Sequence, residues 1–174
     1  MDTKSTTGAR LVLLRGCVRA GKSTVCKTLA ESPNVRVIEM DVFKREKYGT
    51  SRACNPTTDF PAIGRLAKTA LKQGFDVVLE EGFVDEAHMK MTIRWAGLEP
   101  SSPQLVCVWM DCTLDVAMQR QGRGLPPDAL AVQYARYAQR YVPDNELLLD
   151  TAPLDPATVA ERLVSELKAR GVRV

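Results

Sequence analysis

The sequence predicts an α/β protein, a five-stranded parallel sheet with helices on both faces, and three observations carry that expectation. Short apolar runs alternate five times with amphipathic stretches of helical period along the 174 residues. The first run, Leu11 to Leu14, leads into Gly16-Cys-Val-Arg-Ala-Gly-Lys-Ser23, a turn bracketed by glycines between a strand and a helix. Carboxylates recur where the runs end, at Asp41, Glu80, Glu81 and Asp111, and a parallel sheet gathers such ends along one edge.

Composition bounds the reading. A hydrophobic fraction of 45% with 26% charged residues is that of a soluble globular protein, and the length suits one domain over residues 1–174. The net charge of +3 is weak for a surface that coats nucleic acid. Five cysteines without a CxxC pair, and the single His88, argue against a zinc site or a disulfide framework, so a reducing cytoplasm is the expected compartment. Met1 to Gly8 is polar without an apolar signal region, and no apolar stretch reaches membrane-spanning length.

Taken in order, strand one covers Arg10 to Arg15, and a helix from Lys22 to Ser32 stops before Pro33. Val35 to Met40 alternates and ends at Asp41 as strand two, and Lys44 to Cys54 reads as a basic, polar connection. Asp59 and Pro61 open a helix with Ile63, Leu66, Ala67, Ala70 and Leu71 on one stripe, closed by Gly74. Phe75 to Leu79 is strand three. Asp85 then caps a helix with His88, Met91 and Trp95 at core spacing. Gln104 to Met110 is strand four, followed by a short helix from Leu114 to Arg120 and the turn Gln121-Gly-Arg-Gly124. Pro126, Pro127 and Asp128 open a helix with Leu130, Tyr134, Tyr137 and Tyr141 on one side. Glu146 to Leu149 is strand five, and Asp155-Pro156 starts the last helix, with Val159, Leu163 and Leu167 inward.

The glycine-bracketed turn is a phosphate-binding P-loop. Its glycines let the backbone bend so that successive N–H groups meet phosphate oxygens at a helix N-terminus. The expected nucleotide contacts are Gly16, Cys17, Val18, Arg19, Ala20, Gly21, Lys22, Ser23 and Thr24, with Lys22 on the β- and γ-phosphates and Ser23 on Mg²⁺. Asp41 stands where a carboxylate can position an acceptor hydroxyl and take its proton. Glu81, just before Gly82, is favoured over Glu80 for the Mg²⁺ shell, since neighbouring strand residues face opposite ways and only one can serve. Arg120 and Arg123 flank a glycine-containing turn and are expected to neutralise phosphoryl charge from a short lid around residues 114–127. The run Lys44, Arg45, Lys47, Arg52 reads as a solvated loop, His88 as a core or boundary residue, and the cysteines as small hydrophobes.

A P-loop domain with Asp41 after strand two, Glu81-Gly82 after strand three, Val106 to Cys112 leading to Arg120-Gln-Gly-Arg123, and a closing Leu149-Asp-Thr-Ala-Pro-Leu154 resembles the small-kinase branch of P-loop proteins. Polynucleotide 5′-hydroxyl kinases, chloramphenicol phosphotransferase and the gluconate and shikimate kinases are similar in style. The resemblance runs from Arg10 to Leu167 in layout, and only Gly16 to Thr24 is highly specific. It implies the three-layer P-loop NTPase fold with strand order 2-3-1-4-5, ATP with Mg²⁺, Asp41 as acceptor-side base, and an adenine-contacting loop near Thr151 to Pro153. Glu39-Met-Asp41 lacks the paired aspartates of several relatives, and no inserted acceptor domain is evident, so the acceptor stays open.

The expected activity is therefore transfer of the γ-phosphoryl group of ATP to a hydroxyl of a small molecule or of a polynucleotide 5′ end. The weak charge and the lack of an aromatic-rich basic groove favour the small molecule. The rival is a nucleotide-dependent switch with slow hydrolysis. Against it, the chain has neither an NKxD nor an LSGGQ element.

Overall fold

The computed structural model describes residues 8–120 and 125–174. Its centre is β1 (Leu11–Gly16), flanked by β3 (Asp76–Glu80) and β4 (Leu105–Asp111), with β2 (Val35–Glu39) and β5 (Leu147–Asp150) outermost. All pairings are parallel in the order β2-β3-β1-β4-β5, as the family resemblance implied.

A strand with neighbours on both edges and helices on both faces has no wet side, which is why β1 is an unbroken apolar run rather than an alternating one. Leu11 and Leu13 pack with Ile63 and Ala67 of α3 (Pro56–Lys72) and with Met89 and Ile93 of α4 (Glu86–Trp95). Val12 and Leu14 pack on the other face with Val25 and Leu29 of α1 (Lys22–Ala30) and Leu163 and Leu167 of α7 (Pro156–Ala169). Between them lie α5 (Leu114–Gln119) and α6 (Pro127–Tyr137) in chain order.

Three local expectations are corrected. The stretch expected as a connection from Lys44 begins inside α2 (Met40–Tyr48), which buries only Met40 and closes on Gly49 in the left-handed region. A helix with one buried residue leaves almost no apolar stripe to read. The third helix starts at Pro56, where the missing N–H costs nothing, and not at Asp59, which is fully buried in its first turns. On α4 the inward residues are Met89, Thr92 and Ile93, one position away from the expected stripe, and Trp95 is 46% exposed with Arg65 over its ring.

Two buried charges tie separate elements together. Arg15 has no exposed surface, and its guanidinium pairs with Glu146 and donates to the carbonyls of Phe83 (2.6 Å) and Tyr141 (2.8 Å). Arg140, 3.0 Å from the second oxygen of Glu146, lies 4.0 Å over Trp109. Asp59 accepts from Lys47 (2.6 Å), the Tyr48 hydroxyl (2.9 Å) and the Asn55 amide (2.8 Å), fastening α2 to α3. Burial alone would raise its carboxyl, but Lys47, the Asn55 amide and Tyr48 prevail and hold it at about 2.

Glu146 keeps Arg140 when Arg15 is removed, whereas removing Glu146 strands the buried Arg15, so Glu146→Leu is expected to lower the unfolding free energy by about 3–5 kcal/mol in urea titrations. Because the folded-state value for Asp59 lies below the ordinary 3.8, its contribution is present at neutral pH and is lost as the pH falls from about 4 towards 2. Asp59→Asn should flatten that acid limb in thermal melts taken across the same range, and an unchanged limb would place the acid sensitivity elsewhere.

Candidate active site

The loop after β1 follows from a backbone collision. At Gly16 (φ 141°) a Cβ would sit on the carbonyl oxygen of Met110 and 2.8 Å from its nitrogen, so only glycine lets β1 run this close to β4 before turning. Cys17 N–H donates to the same carbonyl at 3.0 Å, and Ala20 N–H closes the turn on Cys17 O at 3.2 Å. Gly21 (φ 97°) caps α1, and its carbonyl accepts from the amides of Thr24 and Val25 at 3.1 Å each. The amides of Lys22 and Ser23 then belong to the helix's first turn, whose N–H groups have no intrahelical partner and favour an anion.

Lys22 curls back over this loop. Its ammonium donates to Gly16 O and Cys17 O, both at 2.9 Å, and stands 3.7 Å from Glu80. Glu80 and not Glu81 is therefore the carboxylate against the P-loop lysine. Glu81 turns to the other side, pairs with Lys44 at 3.3 Å and accepts from the Gly82 amide at 2.9 Å. Burial pushes the Glu80 carboxyl up to about 7; Lys22 opposes this, while Glu81, Asp41 and Glu39 add to it. Four carboxylates from β2, α2 and the end of β3 thus share one electrostatic neighbourhood. Asp41 lies in it as an exposed residue of the first turn of α2.

A cleft of about 490 Å³ opens beside the loop, a size suited to a small ligand. Its walls are the P-loop from Arg19 to Thr24, Arg120, and Leu154, Pro156 and Val159 at the start of α7. Among the residues expected to touch nucleotide, Arg19, Ala20, Gly21, Lys22, Ser23, Thr24 and Arg120 line it. Gly16 and Cys17, at the start of the loop, are buried and do not line the cleft. The Cys17 thiol is buried, donates to Asp111 at 3.1 Å, and is pushed up to about 12, chiefly by burial. Val18 is held from behind by Tyr134 and Tyr137.

Thr151 and Pro153 do not line the cleft. Thr151 is fully buried and donates through Oγ1 to Asp111 O at 2.8 Å, while Pro153 is exposed. Thr151 acts one step back, through Arg120, whose guanidinium donates to its Oγ1 (3.1 Å), to its carbonyl, and to Arg19 O (3.2 Å). Arg123 lies outside the described residues.

The apolar wall formed by Leu154, Pro156 and Val159 was missed from sequence. The cue was present in Asp155-Pro156, read as a helix start. That this start faces the P-loop follows only once α7 packs beside α1.

Among the described residues no three side chains of metal-binding type converge. A divalent cation here would take most of its oxygens from phosphate and water, which suits Mg²⁺. Among the described residues no helix is long and apolar enough to cross a membrane.

The profile of the AAA domain family matches residues 11–142. No curated protein matches the chain in sequence. In structure, the chain is similar to a sugar kinase from Janibacter sp. HTCC2649 (TM-score 0.68, 17% identity, covering 92% of this chain and 95% of that one). It is similar to shikimate kinase from Aquifex aeolicus (TM-score 0.60, 17% identity, 92% and 98%). It is also similar to a chain of the Pnkp1/Rnl/Hen1 RNA repair complex (TM-score 0.60, 13% identity, 79% and 47%). At these identities the likeness is one of fold. The sequence match from β1 through α6 carries the assignment: the chain belongs to the AAA domain family and has the fold of the small P-loop kinases.

Proposed function

We propose that the protein is an ATP-dependent kinase that transfers the γ-phosphoryl group to a hydroxyl of a small molecule. The observation that carries this reading is that Lys22, Ser23 and Thr24 line the cleft, with Glu80 against Lys22 and Asp41 in the first turn of α2. The first-turn amides of α1 bind the phosphate oxygens, and Lys22 exchanges the Gly16 and Cys17 carbonyls for them. Bound Mg²⁺ would neutralise charge on the phosphates, with Ser23 and Glu80 holding it and its water. Asp41 accepts the proton of the acceptor hydroxyl. Arg120 lines the nucleotide cleft and braces its wall through Arg19 and Thr151; with Arg123 it is proposed to neutralise phosphoryl charge from the segment around residues 114–127.

The charge distribution supports a small acceptor over a nucleic-acid end. Two cations of the basic stretch are already matched, Lys44 by Glu81 and Lys47 by Asp59, so that face is less basic than its sequence. A strand-tracking groove needs unmatched cations interleaved with aromatic rings.

The direct test is transfer of labelled γ-phosphate from Mg·ATP to sugars, nucleosides, hydroxyl-bearing antibiotics and 5′-hydroxyl oligonucleotides. Label on a small alcohol supports the proposal, label on oligonucleotides alone contradicts the acceptor class, and free phosphate unaffected by any acceptor favours a switch. Lys22→Ala should abolish transfer while the far-ultraviolet circular dichroism is retained. Asp41→Asn should keep ATP binding and lose transfer by about two to four orders of magnitude. Near-normal turnover in that variant would move the base elsewhere. In the same assay Glu80→Gln should cost more than Glu81→Gln, and the reverse order would return the Mg²⁺-supporting role to Glu81.

A further inference from the structure

The interior of the P-loop is bulky and strained. Between its glycines stand Val18 and Arg19, and Arg19 holds φ at 65°, in the left-handed region that glycine occupies freely and a side-chain-bearing residue does not. Such a conformation persists only where the surroundings over-determine it. The surroundings here are one face of α6. The Tyr134 hydroxyl donates to Val18 O at 3.0 Å, and the Val18 amide donates to the Tyr137 hydroxyl at 3.2 Å.

One helix therefore grips both backbone groups of the residue immediately before the strained one. The two tyrosines sit three apart on α6, their rings edge to face with centroids 5.5 Å apart, and Tyr137 stands edge-on to Trp109 at 5.7 Å. Cys112 contacts the Tyr134 hydroxyl at 2.9 Å from behind. Burial raises both phenols above their usual range, so they remain neutral hydroxyls at physiological pH. From the far side the Arg19 guanidinium donates to Ala117 O (3.0 Å) and Leu125 O (3.3 Å).

We propose that Tyr134 and Tyr137 are positioning residues of the nucleotide site, holding Val18 so that Arg19 stays in its left-handed conformation and the P-loop keeps its phosphate-binding shape. Nothing in this role touches the reacting atoms. It rests on the ATP reading above, and it separates from simple core packing because the hydroxyls matter only while the loop is strained.

The test is a double-mutant cycle with a second readout that needs no nucleotide. In the ligand-free protein, Tyr137→Phe should speed exchange of the Val18 amide by about ten-fold or more, since its acceptor is gone. Each Tyr→Phe change should weaken Mg·ATP binding in calorimetry by about three- to ten-fold, the worth of one hydrogen bond. In an Arg19→Gly background, where the backbone reaches this φ without strain, the same changes should cost less than about two-fold. Thermal melts check the fold.

Equal losses in both backgrounds, or no loss in either, overturn the proposal. So does a Tyr→Phe variant that unfolds, because its hydroxyl would then be holding the core and not the loop. If the unsubstituted protein binds no Mg·ATP, the kinase reading fails by itself. The Val18 exchange rate still reports on the grip, and an unchanged rate in Tyr137→Phe refutes it.

Discussion

The close approach of β1 to β4 at Gly16 is the constraint on which the site depends. Because the two backbones nearly touch there, the chain has no room to continue as a strand with a side chain, and it turns beneath Met110. That turn delivers the amide-rich start of α1 to the carboxyl edge of the sheet, where β2 and β3 bring Asp41 and Glu80. The strand order does the remaining placement. With β3 on one side of β1 and β4 on the other, a carboxylate from β3 meets Lys22, and the arginine after β4 meets Arg19.

Two buried charges fasten segments of the chain together, Arg15 across 131 residues and Asp59 across 12. Arg15 pairs directly with Glu146, and Arg15 and Arg140 both lie over the ring of Trp109. Asp59 gathers α2 and α3. Buried ion pairs are weak evidence for net stability, because desolvation offsets most of the attraction. Their consequence here is positional: they tie Arg15, just before the P-loop, to Glu146, and the helix that carries Asp41 to α3.

How much of this was legible follows from where the information sits. β1, the P-loop and α1 could be read because glycine, lysine and serine at fixed offsets have one mechanical explanation in a strand-to-helix turn. α2 could not, because a helix that buries only Met40 carries no apolar period. On α4 two candidate stripes lie one residue apart, and the large ring of Trp95 drew the reading to the exposed one. Glu81 was favoured over Glu80 from sequence; which of the two stands against Lys22 required knowing which way each points at the end of β3. The Arg15–Glu146 pair and the tyrosine grip on Val18 depend on contacts across 131 and more than 110 residues, which no local pattern encodes.

The central claim is that nucleotide phosphates bind at the start of α1 against the wall formed by α7. Titrating Mg·ATP into isotopically labelled protein and following backbone amides tests it directly. The account predicts the largest shifts at Gly21, Lys22, Ser23 and Thr24, with a second group at Leu154 and Val159. Shifts confined to other surfaces, or none at saturating nucleotide, would contradict it.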